Sequence, residues 1–193
     1  MSLSIVLPYL SKSKSISLCK DLLYKNTKND FELIEIVDNT DVYEAFNSGV
    51  LKSKNDIVVL INDDMFVSPN WDVLYCKHIK PKMVLTGYLI ESGYLIPNSR
   101  CIEMNFGTDI ESFDYDSFIQ YSNNLNYPEI VENSKGWYMP VCFNKSTFIP
   151  YPNEIKYPHP NDVLLIDHIL ENMGYTFCKV ASYVYHLQRY STR

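Results

Sequence analysis

At 193 residues, 46% hydrophobic and 21% charged, the chain is long enough for one sizeable core and short for two, so a single domain over 1–193 is expected. A formal charge of -6 and a pI near 5.2 exclude the clustered basic surface that grips nucleic-acid phosphates. No run approaches the roughly 18 apolar residues of a membrane span and the amino terminus lacks a signal-peptide pattern, so a cytoplasmic protein is expected.

In chain order, "LSIVLPY" is a short apolar run closed by Pro8 and is expected to be a buried strand. Ile16, Leu18, Cys19, Leu22 and Leu23 then recur at helical spacing. A second strand, "FELIEIVDN", closes on Asp38 and Asn39. The next helix carries Val42, Ala45, Phe46, Gly49 and Val50 on one face, with Asp41 as its N-cap. "IVVLI", Ile57 to Ile61, is a third strand set directly against Asn62, Asp63 and Asp64. This alternation predicts right-handed crossovers and an α/β fold: an open, mostly parallel twisted sheet with helices on both faces.

The remainder is less regular. "WDVLYCKHI" has a helical pattern, "MVLTGYLIESGYLI" resembles a hairpin turning at Ser92 and Gly93, and "YDSFIQYSNNL" suits a short helix. Six prolines between Pro128 and Pro160 predict mostly loop around "WYMPVCF". A last helix, "DVLLIDHILENMG", stops at Gly174, and "YTFCKVASYVYH" is expected to close the sheet.

In an open parallel sheet, ligands bind beyond the carboxyl ends of the strands. Pro8 and Tyr9, Asp38 and Asn39, and Asn62 to Asp64 therefore converge on one edge. Three carboxylates in one crevice repel one another unless a cation intervenes, and oxygen donors of this kind suit Mg²⁺ or Mn²⁺. The six glycines form neither of the usual phosphate-cradling motifs, and five scattered cysteines without a C-x-x-C pair support neither a disulfide framework nor a zinc knuckle.

Together, "SIVLPY" and "ELIEIVDNTDVYEAFNSGVLKSKNDIVVLINDDMFVSPNW", within Ser4 to Trp71, resemble the nucleotide-sugar half of family 2 glycosyltransferases of the GT-A fold. In that family a strand is followed by a base-reading aspartate, an A-x-N-x-G helix and a strand ending in D-x-D. The resemblance implies a donor half over 1–90 and an acceptor half over 91–193. It implies that Pro8, Tyr9 and Asp38 flank the base, that Asn62 or Asp63 meets the ribose, and that Asp64 ligates Mn²⁺ or Mg²⁺ on the diphosphate. Asn62 stands where the family commonly has the first aspartate, which keeps a donor oxygen and loses a charge.

"NDVLLIDHILENMGY" is similar to the family segment that carries the catalytic base, which implies Asp162, with Asp167 as the alternative. Asp162 with Asn161 is also suited simply to cap the helix. "VYHLQRYS" resembles the family's tail, implying His186 as a metal ligand and Arg189 against the diphosphate, unless this is a solvent-facing tail. Trp137 is a candidate acceptor platform or a core residue, whereas His78 and His159 have no partner spacing.

The implied activity is inverting transfer of a sugar from a nucleotide-diphosphate donor, commonly a UDP-sugar, to a hydroxyl of a sugar or glycan. The alternatives are a noncatalytic nucleotide-sugar or glycan-binding module and, with no convincing strand-end lysine, a Mg²⁺-dependent phosphotransfer enzyme.

Overall fold

In the computed structural model, residues 1–93, 101–136, 139–152 and 162–188 are described, the side chains of 162–165 excepted. The alternation expected of the amino-terminal third is present. Strand β1 (Ser2–Tyr9) leads through α1 (Ile16–Asn26) to β2 (Asp30–Val37), and then through α2 (Val42–Lys52) to β3 (Ile57–Leu60). Both β2 and β3 pair with β1 in parallel. β1 runs through Pro8 instead of closing there. Its pairing with β3 ends at Val6, so no ladder bond on that side needs the missing N–H.

The chain continues through β4 (Met65–Val67), α3 (Val73–His78), β5 (Met83–Glu91), β6 (Ile102–Glu103), α4 (Tyr115–Asn124), β7 (Ile130–Glu132), β8 (Val141–Asn144), α5 (Asp162–Asn172) and β9 (Thr176–His186). Of the hairpin expected over 83–96, β5 is the first arm; the second lies outside the described residues. Among the described residues the strands form one sheet, ordered β2-β1-β3-β8-β5-β9-β4, with β6 beside β5 and β7 beside β9.

Strand β8 is antiparallel to both β3 and β5, and β5 is parallel to β9. Consequently β1, β2, β3, β5 and β9 all point the same way, and their carboxyl ends share one edge of the sheet. The short strands β4 and β7 pair antiparallel with β9.

Successive residues of each central strand feed opposite cores, as the two-residue period of a strand requires. Ile57, Val59 and Ile61 pack with Leu22 and Leu23 of α1, Tyr75 of α3 and Phe118 of α4. Val58 and Leu60 pack with Phe46 and Val50 of α2 and with Ile166 and Leu170 of α5. A strand covered on both faces needs apolar side chains at every position, which is why "IVVLI" shows no alternation. Among the described residues, no helix is long and apolar enough to cross a membrane.

Helix α2 shows how the sequence fixes the crossover. The Asp41 carboxylate accepts from the backbone N–H groups of Tyr43 and Glu44, which is the N-cap expected of it. Gly49 lets the helix lie against β1: a Cβ there would sit 2.1 Å from Cγ1 of Val6. Asn47 points elsewhere. Its side-chain amide donates to the carbonyl of Tyr151 at 2.9 Å, and its oxygen accepts the Tyr151 N–H at 2.8 Å.

Gly49→Ala is expected to destabilise the protein by about 1–3 kcal/mol, the usual range for overpacking, as measured by urea unfolding. Val6→Ala in the same chain should recover part of that loss, and no recovery would show that the helix–strand contact is not the cause.

Candidate functional site

At the shared edge, the ends of β1 and β2 are tied together through Asp38. Its N–H donates to the carbonyl of Tyr9 at 2.9 Å, and its carboxylate accepts the N–H of Ser11 at 2.7 Å. Asp38 adopts φ 58, a left-handed conformation that Asp tolerates better than most residues. Beside it, the Tyr9 hydroxyl donates to Glu35 at 2.6 Å, and Lys20 lies 2.9 Å from the same carboxylate oxygen. The hydrogen bond to Glu35 raises the Tyr9 pKa, and the bonds from Lys20 and Tyr9 lower that of Glu35.

After β3 the chain turns into β4, with the Met65 N–H donating to the carbonyl of Asn62 at 3.3 Å. Cys19 of α1 donates its thiol to the carbonyl of Met65 at 3.4 Å, and burial pushes that thiol pKa well up. The turn sends its three polar side chains to different surroundings. Asn62 is half-buried. Asp63, 1% exposed, accepts the Ser13 hydroxyl from the β1–α1 loop. Asp64, 3% exposed, faces β9.

The partner it meets there is His186. Its register is fixed on both sides, opposite Glu91 of parallel β5 and opposite Met65 of antiparallel β4, and the Leu187 N–H donates to the carbonyl of Asp64 at 3.0 Å. Its imidazole Nε2 lies 3.6 Å from the Asp64 carboxylate, and Nδ1 lies 2.6 Å from Oε1 of Glu91. The other oxygen of Glu91 accepts from Gln188 at 2.8 Å and from the Cys101 thiol at 3.2 Å.

Burial by itself would lower the pKa of His186. The nearby Asp64 and Glu91 carboxylates outweigh it and raise the value from 6.5 to about 10. The same pairing, together with the Cys101 and Gln188 hydrogen bonds, holds Glu91 below its ordinary value against the effect of burial. Burial and the adjacent Glu91 push the Cys101 thiol up to about 12, so it acts as a donor and not as a thiolate.

The donor set fits a divalent cation in part. A carboxylate and an imidazole nitrogen are both ordinary ligands for Mn²⁺, and an ion at Nε2 would take the place of a proton. Among the described residues no three His, Cys, Asp or Glu side chains form a ready enclosure. Two protein donors would leave the other positions of an octahedral ion such as Mg²⁺ to further oxygen ligands.

Asp162 is the first residue of α5, and its side chain lies outside the described part. Asp167, a turn and a half further along, is 3% exposed and has Lys135 at 4.0 Å, which also pairs with Glu171 at 2.7 Å. Trp137 and Arg189 lie outside the described residues. The sequence reasoning did not find Glu91, Ser13, Gln188 or Lys135. For Glu91 a signal existed, because "MVLTGYLIE" is an apolar strand closed by a carboxylate, the same pattern that singled out β3.

No family model and no curated protein matches the sequence. Solved structures do match the fold. GalNAc-T7 with UDP, GalNAc and Mn²⁺ aligns at a TM-score of 0.67 and 11% identity, covering 96% of this chain and 44% of that one.

The chain has the GT-A fold.

A second GT-A-type glycosyltransferase, S. aureus TarS 1-349 in complex with UDP, aligns at 0.56 and 13% identity, covering 96% of this chain and 60% of that one. The chain thus spans 44% to 60% of the length of these two structures, and the likeness is one of fold.

Within this GT-A frame His186 links stability to pH. A folded-state pKa of about 10, raised from 6.5, gives stability that is complete below about 6.5 and is lost as pH rises toward 10. In chelator, unfolding free energy should fall by roughly 1 kcal/mol per pH unit between about pH 7 and 9. His186→Asn should flatten that slope. Parallel slopes in the two proteins would exclude a charged histidine between Asp64 and Glu91.

Proposed function

We propose that the protein is a metal-dependent glycosyltransferase. It moves a sugar from a nucleotide-diphosphate donor, a UDP-sugar in the first instance, to a hydroxyl of a sugar or glycan, with inversion at the anomeric carbon. The observation that carries this reading is the pairing of Asp64 with His186 at 3.6 Å, on the edge of a GT-A sheet where the parallel strands end. The UDP bound in the two structural neighbours supports it.

Asp64 and His186 would hold Mn²⁺ or Mg²⁺. When bound, such an ion would supply positive charge to the departing diphosphate. Pro8, Tyr9 and Asp38 would flank the base, with the Asp38 carboxylate also fixing the loop at Ser11. Asn62 is better suited than Asp63 to the ribose, because Asp63 is buried against Ser13. Arg189 would lie against the diphosphate and Trp137 against the acceptor.

Asp162 would take the proton from the acceptor hydroxyl. A base has to reach an incoming substrate, and Asp167, buried beside Lys135, is poorly suited to that task.

A second reading, a noncatalytic donor-binding module, is favoured by Asn62 at the first position of the acidic motif and by the partial coverage of both neighbours. It differs in outcome: donor binds and no sugar is transferred.

UDP at about a hundred times its dissociation constant, with Mn²⁺, should add roughly 2.7 kcal/mol of stability. Excess chelator or Asp64→Ala should remove the gain. No response to UDP or to any other nucleoside diphosphate would sink both readings. Asp162→Asn should abolish transfer while leaving UDP affinity within about twofold, and full activity in that variant would remove Asp162 from the chemistry.

A further inference from the structure

Glu91 is a carboxylate 4% exposed at the end of β5, and its burial is matched by three partners. One oxygen takes Nδ1 of His186 at 2.6 Å. The other takes Nε2 of Gln188 at 2.8 Å and Sγ of Cys101 at 3.2 Å. The parallel register sets Glu91 directly beside His186, so the contact comes from two paired backbones and not from a chance rotamer. On the other side of the ring, Nε2 is turned to Asp64.

A histidine presents a lone pair at one nitrogen only when the other nitrogen carries the proton. A carboxylate on Nδ1 selects that arrangement, and a carboxylate anchored by two further donors holds the ring at a fixed angle.

We propose that Glu91 is the positioning residue of the site, accepting the Nδ1–H of His186 so that Nε2 is the atom offered, together with Asp64, to a divalent cation. Gln188 and Cys101 serve as the outer anchors of Glu91. This rests on the reading that Asp64 and His186 hold a metal. Glu91 acts through His186 and does not itself reach the ion, because both its oxygens are engaged away from Asp64. Carboxylates that orient a ligating histidine in this way commonly change metal affinity by 10–100-fold when removed.

The test is a double-mutant cycle on Mn²⁺ affinity, measured from the free Mn²⁺ electron paramagnetic resonance signal in the presence of UDP, with no assay of activity. Glu91→Ala is expected to weaken Mn²⁺ binding by 10–100-fold. Glu91→Gln, which keeps an acceptor oxygen at similar reach, should recover part of that loss. In a His186→Ala background, Glu91→Ala should have no further effect, since the group it orients is gone.

Additive losses in the double variant would overturn the proposal and make Glu91 a ligand or a general stabiliser. So would wild-type affinity in Glu91→Ala, or equal losses in the Ala and Gln variants. Failure of the wild-type protein to bind Mn²⁺ at all would overturn the metal reading as well. Intact Mn²⁺ binding that depends on His186 and not on Glu91 would overturn only this proposal.

Discussion

Two buried carboxylates facing one imidazole are the constraint on which the site depends. Asp64 and Glu91 are each under 5% exposed, and charges so placed are tolerated only with a counter-charge and good hydrogen bonds. His186 supplies both, reaching Glu91 at 2.6 Å and Asp64 at 3.6 Å. The asymmetry of those distances is chemically useful. The short contact fixes the ring, while the longer one turns Nε2 toward Asp64.

That arrangement is produced by strand pairing. β9 is held between β5 and β4, and the register on each side sets Glu91 and Met65 opposite His186. Asp64 immediately precedes β4, so the turn after β3 carries the acidic residues from one strand end to the flank of another. The apolar run that ends on carboxylates is therefore a strand buried on both faces whose terminal turn faces a histidine from the far end of the chain.

Much of the amino-terminal third was legible because its signals are local. Apolar runs, helical spacing and the Asp41 cap each need only a dozen residues of context, and β1 through β3 follow them. Asp64 was legible as a carboxylate at a strand end and His186 only as a family position; their direct contact was not legible, since register between distant strands leaves no trace in spacing. Glu91 was hidden by an expected hairpin turn just beyond it. The A-x-N-x-G helix was noticed for its resemblance to a donor site, and the structure supplies a mechanical reason for its residues as well: Gly49 admits Val6, and Asn47 clasps the backbone of Tyr151. A motif residue can be retained for packing and for a ligand at once, and sequence alone does not separate the two.

The position of β9 in the sheet also sets an order of assembly. It follows α5 in sequence, yet it lies between β5 and β4 and takes β7 along the same flank. During synthesis β5 awaits it with one edge unpaired, and β4 and β7, which among the described residues pair only with β9, await it with no partner strand; such edges are templates for pairing with other chains. Closing them needs contacts between residues far apart in the chain, from Glu132 with Cys178 to Met65 with His186, which is a slow kind of step. The histidine between Asp64 and Glu91 thus arrives with the strand that completes the sheet, so a molecule in which β9 has not yet docked at once lacks the counter-charge of two carboxylates and is the form most exposed to aggregation.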